Sequence, residues 1–172
     1  MYDCIVMRAA RTMCFAVVLA SCVSLQAASD SRSTGAAVAR PARSSAAVEQ
    51  DVVELVNRHR RARGLAPLAL DARVAQQARL HSQAMAAGKT PFGHDGFPAR
   101  VAALRRVTAV RSTAENVAFN AGARDPAADA VQGWLASRGH RENIEGPYAL
   151  TGVGVASNAK GEVYLTQIFV GR

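Results

Sequence analysis

The segment "EVYLTQIFV", residues 162–170, limits the possible folds more than any other part of the chain. Its two alternating sets, Val163, Leu165 and Phe169 on one side and Tyr164, Ile168 and Val170 on the other, are both largely apolar. Successive side chains of a strand point to opposite faces, so this strand has to be covered on both. Just before it, Thr151, Val153 and Val155 alternate with Gly152, Gly154 and Ala156, and "SNAKG" supplies a turn. The pattern is that of a β-hairpin. A hairpin buried on both faces requires helices on both sides of a small sheet.

The helices are legible upstream. Val48, Val52, Leu55, Val56 and His59 recur at helical spacing, and Gly64 ends the run. Arg58, Arg60, Arg61 and Arg63 fill its last turns, where cations favour the helix dipole, a more economical reading than a binding patch. "LDARVAQQARLHSQAMAAG" offers Asp71 as N-cap, a stripe of Val74, Ala78, His81 and Met85, and Gly88 beyond the end. "DPAADAVQGWLASRG" offers Asp125 as cap, Pro126 at the first helical position, a stripe of Ala127, Ala130 or Val131, and Trp134, and Gly139 as the stop. Trp134 lies on that stripe and reads as core. The expected fold class is α+β, with helices packed on two sides of a small, mainly antiparallel sheet.

At 172 residues the chain suits one domain once tails are removed. Residues 1–22 place Arg8 and Arg11 before an apolar run from Met13 to Ala20, the order of a secretory signal and too short for a permanent membrane span. "LASC", ending at Cys22, resembles a bacterial lipobox, in which the cysteine is lipidated and becomes the mature N-terminus. Ordinary cleavage after Ala27 or Ala28 is the competing reading, and translation from Met7 would leave a compact signal. Residues 23–47, rich in Ala, Ser and Arg, hold almost no large apolar side chain and read as a disordered tether. The folded domain is expected over residues 48–172.

Cys4, Cys14 and Cys22 all lie in the leader. The domain therefore has no cysteine for a disulfide, a thiolate zinc site or a nucleophile. The formal net charge is +8, nearly all of the positive groups being arginine. In an exported protein that balance favours anionic lipid or envelope polymer. Scattered arginines with few interleaved aromatics do not fit nucleic acid.

Four histidines could carry chemistry. His59 and His81 sit on apolar stripes and read as satisfied, half-buried side chains. His94 lies in the Gly- and Pro-rich "TPFGHDGFPAR", the kind of loop that carries function. His140 follows the expected helix stop at Gly139 and is flanked by charge. Glu115, in "STAENVAF", is an acid in an otherwise buried-looking stretch and needs partners, because burying it unpaired is costly. Two imidazoles and a carboxylate from separate segments are compatible with an open zinc site, although spacing alone is a weak signal. "HRE" at 140–142 imitates a zinc-deaminase motif without its paired cysteines, and no HExxH, GxSxG, phosphate-loop or dinucleotide motif is present.

In order along the chain, "LVNRHRRARGLAPL" with Asn57, Arg60, Gly64, Leu65, Pro67 and Leu68, then "VAQQARLHSQAMAA", the loop of His94, "AENVA", "WLASRGHRENI", "TGVGVA" and "YLTQIFV" resemble the bacterial branch of the CAP superfamily over residues 50–170. The superfamily takes its name from cysteine-rich secretory proteins, antigen 5 and pathogenesis-related 1 proteins. The resemblance implies an α-β-α sandwich with a cleft. In eukaryotic members two histidines and two glutamates of the cleft can bind zinc. By position, His94, Glu115 and His140 match three of the four, while Ser137 stands where the second glutamate is expected, so any zinc on His94, His140 and Glu115 would be held weakly. Ala114 replaces a common glycine. Asn116 and Asn143 belong to the motif and read as residues that bond backbone and fix turns.

Family membership does not fix an activity. The resemblance favours an exported, non-enzymatic module, secreted or held at the cell envelope. It would bind a small amphiphile, such as a lipid or sterol-like molecule, or an envelope component in a cleft of His94, Glu115, His140 and Ser137. The alternative is a zinc-dependent hydrolase or peptidase, with Glu115 taking a proton from metal-bound water. A third reading makes the three residues a hydrogen-bonded structural cluster.

Overall fold

The computed structural model describes residues 5–8 and 43–172. Cys22, the expected cleavage sites and most of the leader and tether fall outside the described residues. Of the leader, Ile5–Arg8 is described as a short strand, β1. The first helix, α1, spans Ser45–Ala62, three residues ahead of the expected start, because Ser44 accepts from the Ala47 amide at 3.2 Å and caps it. There follow β2 (Ala69–Leu70), α2 (Ala72–Ala86), α3 (Phe97–Arg105), β3 (Ser112–Ala121), α4 (Pro126–Ala136), α5 (Arg138–Glu145), β4 (Leu150–Ser157) and β5 (Glu162–Gly171).

The sheet runs β1-β3-β5-β4-β2. Its three long strands pair antiparallel, with β5 at the centre and the hairpin β4–β5 turning at Asn158 to Gly161. The short outer strands add in parallel, β1 on β3 and β2 on β4, so the sheet is mixed at its edges. From Leu165 to Gly171, β5 is buried without a break, as a strand covered on both faces must be.

Each face has its own apolar cluster. Val48, Val52 and Val56 of α1 and Ala130, Val131 and Trp134 of α4 pack on Ala114, Ala118, Leu165, Phe169, Val153 and Val155. On the other face Val74 and Ala78 of α2 and Leu104 of α3 pack on Leu150, Ile168 and Val170. These layers are the α-β-α sandwich that the sequence implies. The α2 face is unusually close: a Cβ on Gly152 or Gly154 would fall into the α2 backbone at Val74–Ala75 or Ala78–Arg79. The glycines of "TGVGVA" are therefore a steric requirement for seating α2.

Two expectations are corrected. Arg60 does not join its neighbours on the solvated end of α1: it is 3% exposed, and donates to the carbonyls of Ala66 (2.8 Å), Ile144 (2.7 Å) and Gly146 (2.9 Å). A guanidinium has enough donors to hold three separate backbone turns, and the helix dipole is a minor part of its role. Gly139 does not stop a helix either. The break between α4 and α5 falls at Ser137, whose backbone is extended (φ −88°, ψ 128°), and Gly139 lies inside α5.

Candidate functional site

The site is built around β3. In the register Glu115 pairs with Ile168 and Gly152, on the face that receives α2 and α3. Asn116, the next residue, turns to the opposite face and reaches α5.

The Glu115 side chain is 1% exposed and meets a cation there. Arg100, in the first turns of α3, places Nε 2.8 Å from Oε2 and Nη2 2.7 Å from Oε1, the two-pronged geometry of a strong guanidinium–carboxylate pair. Its Nη1 donates to the Asp95 carbonyl at 2.8 Å and to His81 Nδ1 at 3.1 Å, and Nη2 has a longer contact of 3.5 Å with the His94 carbonyl. All five N–H groups of the guanidinium are thus directed at acceptors.

This geometry assigns the histidine tautomers. His94 Nδ1 lies 3.0 Å from Glu115 Oε1, and because a carboxylate only accepts, Nδ1 carries the hydrogen. His81 Nε2 is 2.8 Å from the Gly93 carbonyl and donates to it, which leaves Nδ1 to accept from Arg100. Burial, opposed by the Gly93 bond and reinforced by the nearby Arg100 charge, pushes the His81 pKa below its ordinary value. His81, expected to be a satisfied core histidine, is satisfied, but by the cluster itself.

His140 is the third residue of α5 and 3% exposed. Its Nδ1 sits 2.9 Å from Ser137 Oγ. Ser137 stands at the N-cap of α5, yet its hydroxyl makes no cap bond and is given to the imidazole instead. The helix is fastened to β3 by two amides. Asn116 Nδ2 donates to the His140 carbonyl (3.1 Å), and Asn143 Nδ2 donates to Asn116 Oδ1 (2.9 Å) and, more weakly, to the Glu115 carbonyl (3.4 Å). Both asparagines bond backbone, as expected. Glu142 points away, exposed and paired with Arg138.

Glu115 and His94 are therefore in direct contact, and His140 is held against the same strand one residue along. Glu115 is not available as a zinc ligand in this arrangement. Both Glu115 oxygens are taken, and the carboxylate orients His94 from behind rather than offering itself as a ligand. Among the described residues no three His, Cys, Asp or Glu side chains group so as to hold a metal ion. The four expected cleft residues are largely covered. The hollow that opens beside them has a volume of about 240 Å³ and is lined by Leu80, His81, Ala84, Thr90, Asp95 and Arg100.

Arg100, the hub of the cluster, is invisible to motif reading. Phe97, Val101 and Leu104 give α3 a short apolar face, but only the fold brings residue 100 to residue 115.

Residues 53–169 match the family model described as CAP, the cysteine-rich secretory protein family. The chain is 35% identical over 133 residues to the uncharacterized protein YkwD of Bacillus subtilis (strain 168), a match covering 75% of this chain and 49% of that protein. It thus spans about half the length of that curated relative. Among solved structures, an extracellular protein with an SCP domain from Bacillus anthracis aligns with a TM-score of 0.59 at 29% identity, covering 74% of this chain and 41% of the other. A cysteine-rich secretory protein from Staphylococcus aureus aligns at 0.61 with 22% identity, covering 78% and 41%. An outer surface protein of Borrelia burgdorferi aligns at 0.64 with 16% identity, covering 76% and 96%. The last two share the fold alone. With the family model spanning most of the sandwich and the site of His94, Glu115 and His140 inside it, the chain belongs to the CAP superfamily, as a bacterial member.

Proposed function

We propose that this chain is an exported, non-enzymatic binding module that takes a small amphiphile, such as a lipid, sterol-like molecule or envelope component, beside the cluster of His94, Glu115, His140 and Ser137. The commitment of Glu115 carries this reading. A buried carboxylate gripped by both prongs of Arg100 is poorly placed to bind a metal or to take a proton from water. The domain also has no cysteine, and no serine in a GxSxG motif. The adjoining hollow offers Leu80 and Ala84 to an apolar group and Thr90, Asp95 and the edge of Arg100 to a polar one. At about 240 Å³ it is smaller than the usual drug-sized site, so it suits a small molecule or one segment of a larger amphiphile.

Similarity to proteins described as extracellular and as outer surface supports an exported location. Mass spectrometry of the mature N-terminus decides between a lipid anchor on Cys22 and free secretion.

The ligand is tested by extracting purified protein with organic solvent, identifying enriched species by mass spectrometry, and titrating them back. Wild type should carry an amphiphile that an Ala84→Phe variant, with the hollow filled, loses. No enrichment over an unrelated basic protein of similar size would defeat the proposal.

A further inference from the structure

A second surface, which uses no residue of the His94–Glu115–Arg100 cluster, lies where the two long edges of the sheet begin and end. The start of β3 pairs with the end of β5 at Ser112 and Gly171, and β2 runs beside the start of β4. Exposed Arg73, Arg111 and Arg172 lie at this end, and the exposed Arg105 and Arg106 close α3 immediately before Val107, which Arg73 touches.

Contacts tie the segments together. Arg73 Nη1 donates to the Val107 carbonyl at 2.7 Å, and the Arg111 amide donates to Gly171 at 2.8 Å. Arg172 comes within 3.9 Å of Asp71, which is itself 2.6 Å from Arg73. Asp71 is the acid these contacts bring in. It is already neutralised and serves as the N-cap of α2, so the end carries a clear positive excess.

The same end is not only basic. Among the described residues three large hydrophobic side chains are exposed, Leu70 (61%), Leu80 (53%) and Val107 (51%), and two of them, Leu70 and Val107, stand among these arginines. Isolated exposed aliphatics need no explanation, but a pair set within a cationic rim is the composition of a surface that meets a bilayer. Arginines are drawn to anionic headgroups, and the aliphatic pair enters the boundary between headgroup and acyl chain. Nucleic acid would call instead for an aromatic stacking platform, and no aromatic side chain of the described residues is exposed.

We propose that this end of the domain docks on an anionic lipid bilayer, with Arg105, Arg106 and Arg111 supplying the attraction and Leu70 and Val107 the insertion. The mode is independent of the hollow beside Arg100, so a chain that fails to carry an amphiphile can still dock, and the converse also holds.

The test is co-sedimentation of purified full-length protein, carrying Cys22→Ser to remove any anchor, with phosphatidylglycerol-rich vesicles and with phosphatidylcholine vesicles. The unmodified surface should bind the anionic vesicles alone, and more weakly as salt rises. Arg105→Glu, Arg106→Glu and Arg111→Glu together should lower binding by roughly a hundredfold or more, at about fivefold per charge near the surface. Leu70→Ser with Val107→Ser should lower it by about tenfold with the charge untouched. A charge-matched control, Lys89→Glu, Arg124→Glu and Lys160→Glu, which are exposed beyond the far ends of α2, β3 and β4, should lose far less. If the charge reversal unfolds the domain, the three Arg→Gln replacements carry the same comparison. Equal loss in the control, or unchanged binding in the Leu70 and Val107 variant, overturns the proposal. So does tighter binding of duplex DNA than of vesicles by the same arginines.

Discussion

Replacing Arg100 by methionine keeps the aliphatic stem and removes the guanidinium from a carboxylate whose side chain is 1% exposed. Glu115 then retains only His94 as a partner, while His81 Nδ1 and the Asp95 carbonyl each lose a donor. Breaking one member of a buried ion pair typically costs about 3–5 kcal/mol, because the remaining charge stays buried without compensation. Removing both members is milder, since the charge that made the loss expensive has gone. Glu115→Gln alone should cost about 2–3 kcal/mol, its amide unable to accept both prongs and leaving Arg100 unmatched. The double variant should be no worse than Arg100→Met, which makes the coupling about 2 kcal/mol or more. Urea denaturation followed by circular dichroism measures all three, and a domain with an ordinary 5–15 kcal/mol of stability leaves enough folded protein to do so. Single effects below about 1 kcal/mol, or single effects that simply add, would refute the claim that Arg100 and Glu115 form one unit.

Four other outcomes follow from the same coordinates. Gly154→Ala should destabilise the domain by about 3 kcal/mol or more, because its methyl would meet the α2 backbone at Ala78 and Arg79, which cannot rotate aside; thermal denaturation reads the loss. His81 has a depressed folded pKa, so its contribution is fully present above its ordinary value of 6.5 and is lost as pH falls through and below it. His81→Gln, which can keep the bond to Gly93, should flatten the stability profile between about pH 7 and 5; an unchanged profile would place the titration elsewhere. Asp71 is held at a pKa of about 2 by Arg73 and by the α2 amides of Arg73 and Val74, and Asp71→Ala should remove about 1–2 kcal/mol near neutral pH and progressively less as pH falls through about 2, where the wild-type carboxylate itself takes up a proton. Calorimetric zinc titration should give the same weak signal for wild type and for a His94→Ala, His140→Ala variant, whereas tight binding lost in that variant would restore the metal reading.

Much of the sandwich was legible because its signals are local. Asp71 and Asp125 cap helices where their spacing to the apolar stripes places them. Trp134 lies in the core with its indole N–H on the Val117 carbonyl. The double-sided pattern of "EVYLTQIFV" became the central strand. The misreadings occurred where a local rule met a tertiary one. Gly139 has the composition of a helix stop, yet the chain breaks two residues earlier, at the serine that serves His140. Arg60 looked like a dipole cation and is a buried clamp, and nothing in its immediate neighbours reveals the carbonyls of Ile144 and Gly146 that wait for it.

The sequence by itself determined the layers, three of the helices, the final hairpin and the candidates His94, Glu115 and His140, because apolar period, capping residues and turn chemistry act over a few neighbouring positions. Only the tertiary structure decided what those candidates do. Fifteen residues separate Arg100 from Glu115 and nineteen separate it from His81, and no local preference couples them. They meet because α2 seats on two glycines and α3 folds down beside it, and a buried charge then takes whichever opposite charge the packing delivers.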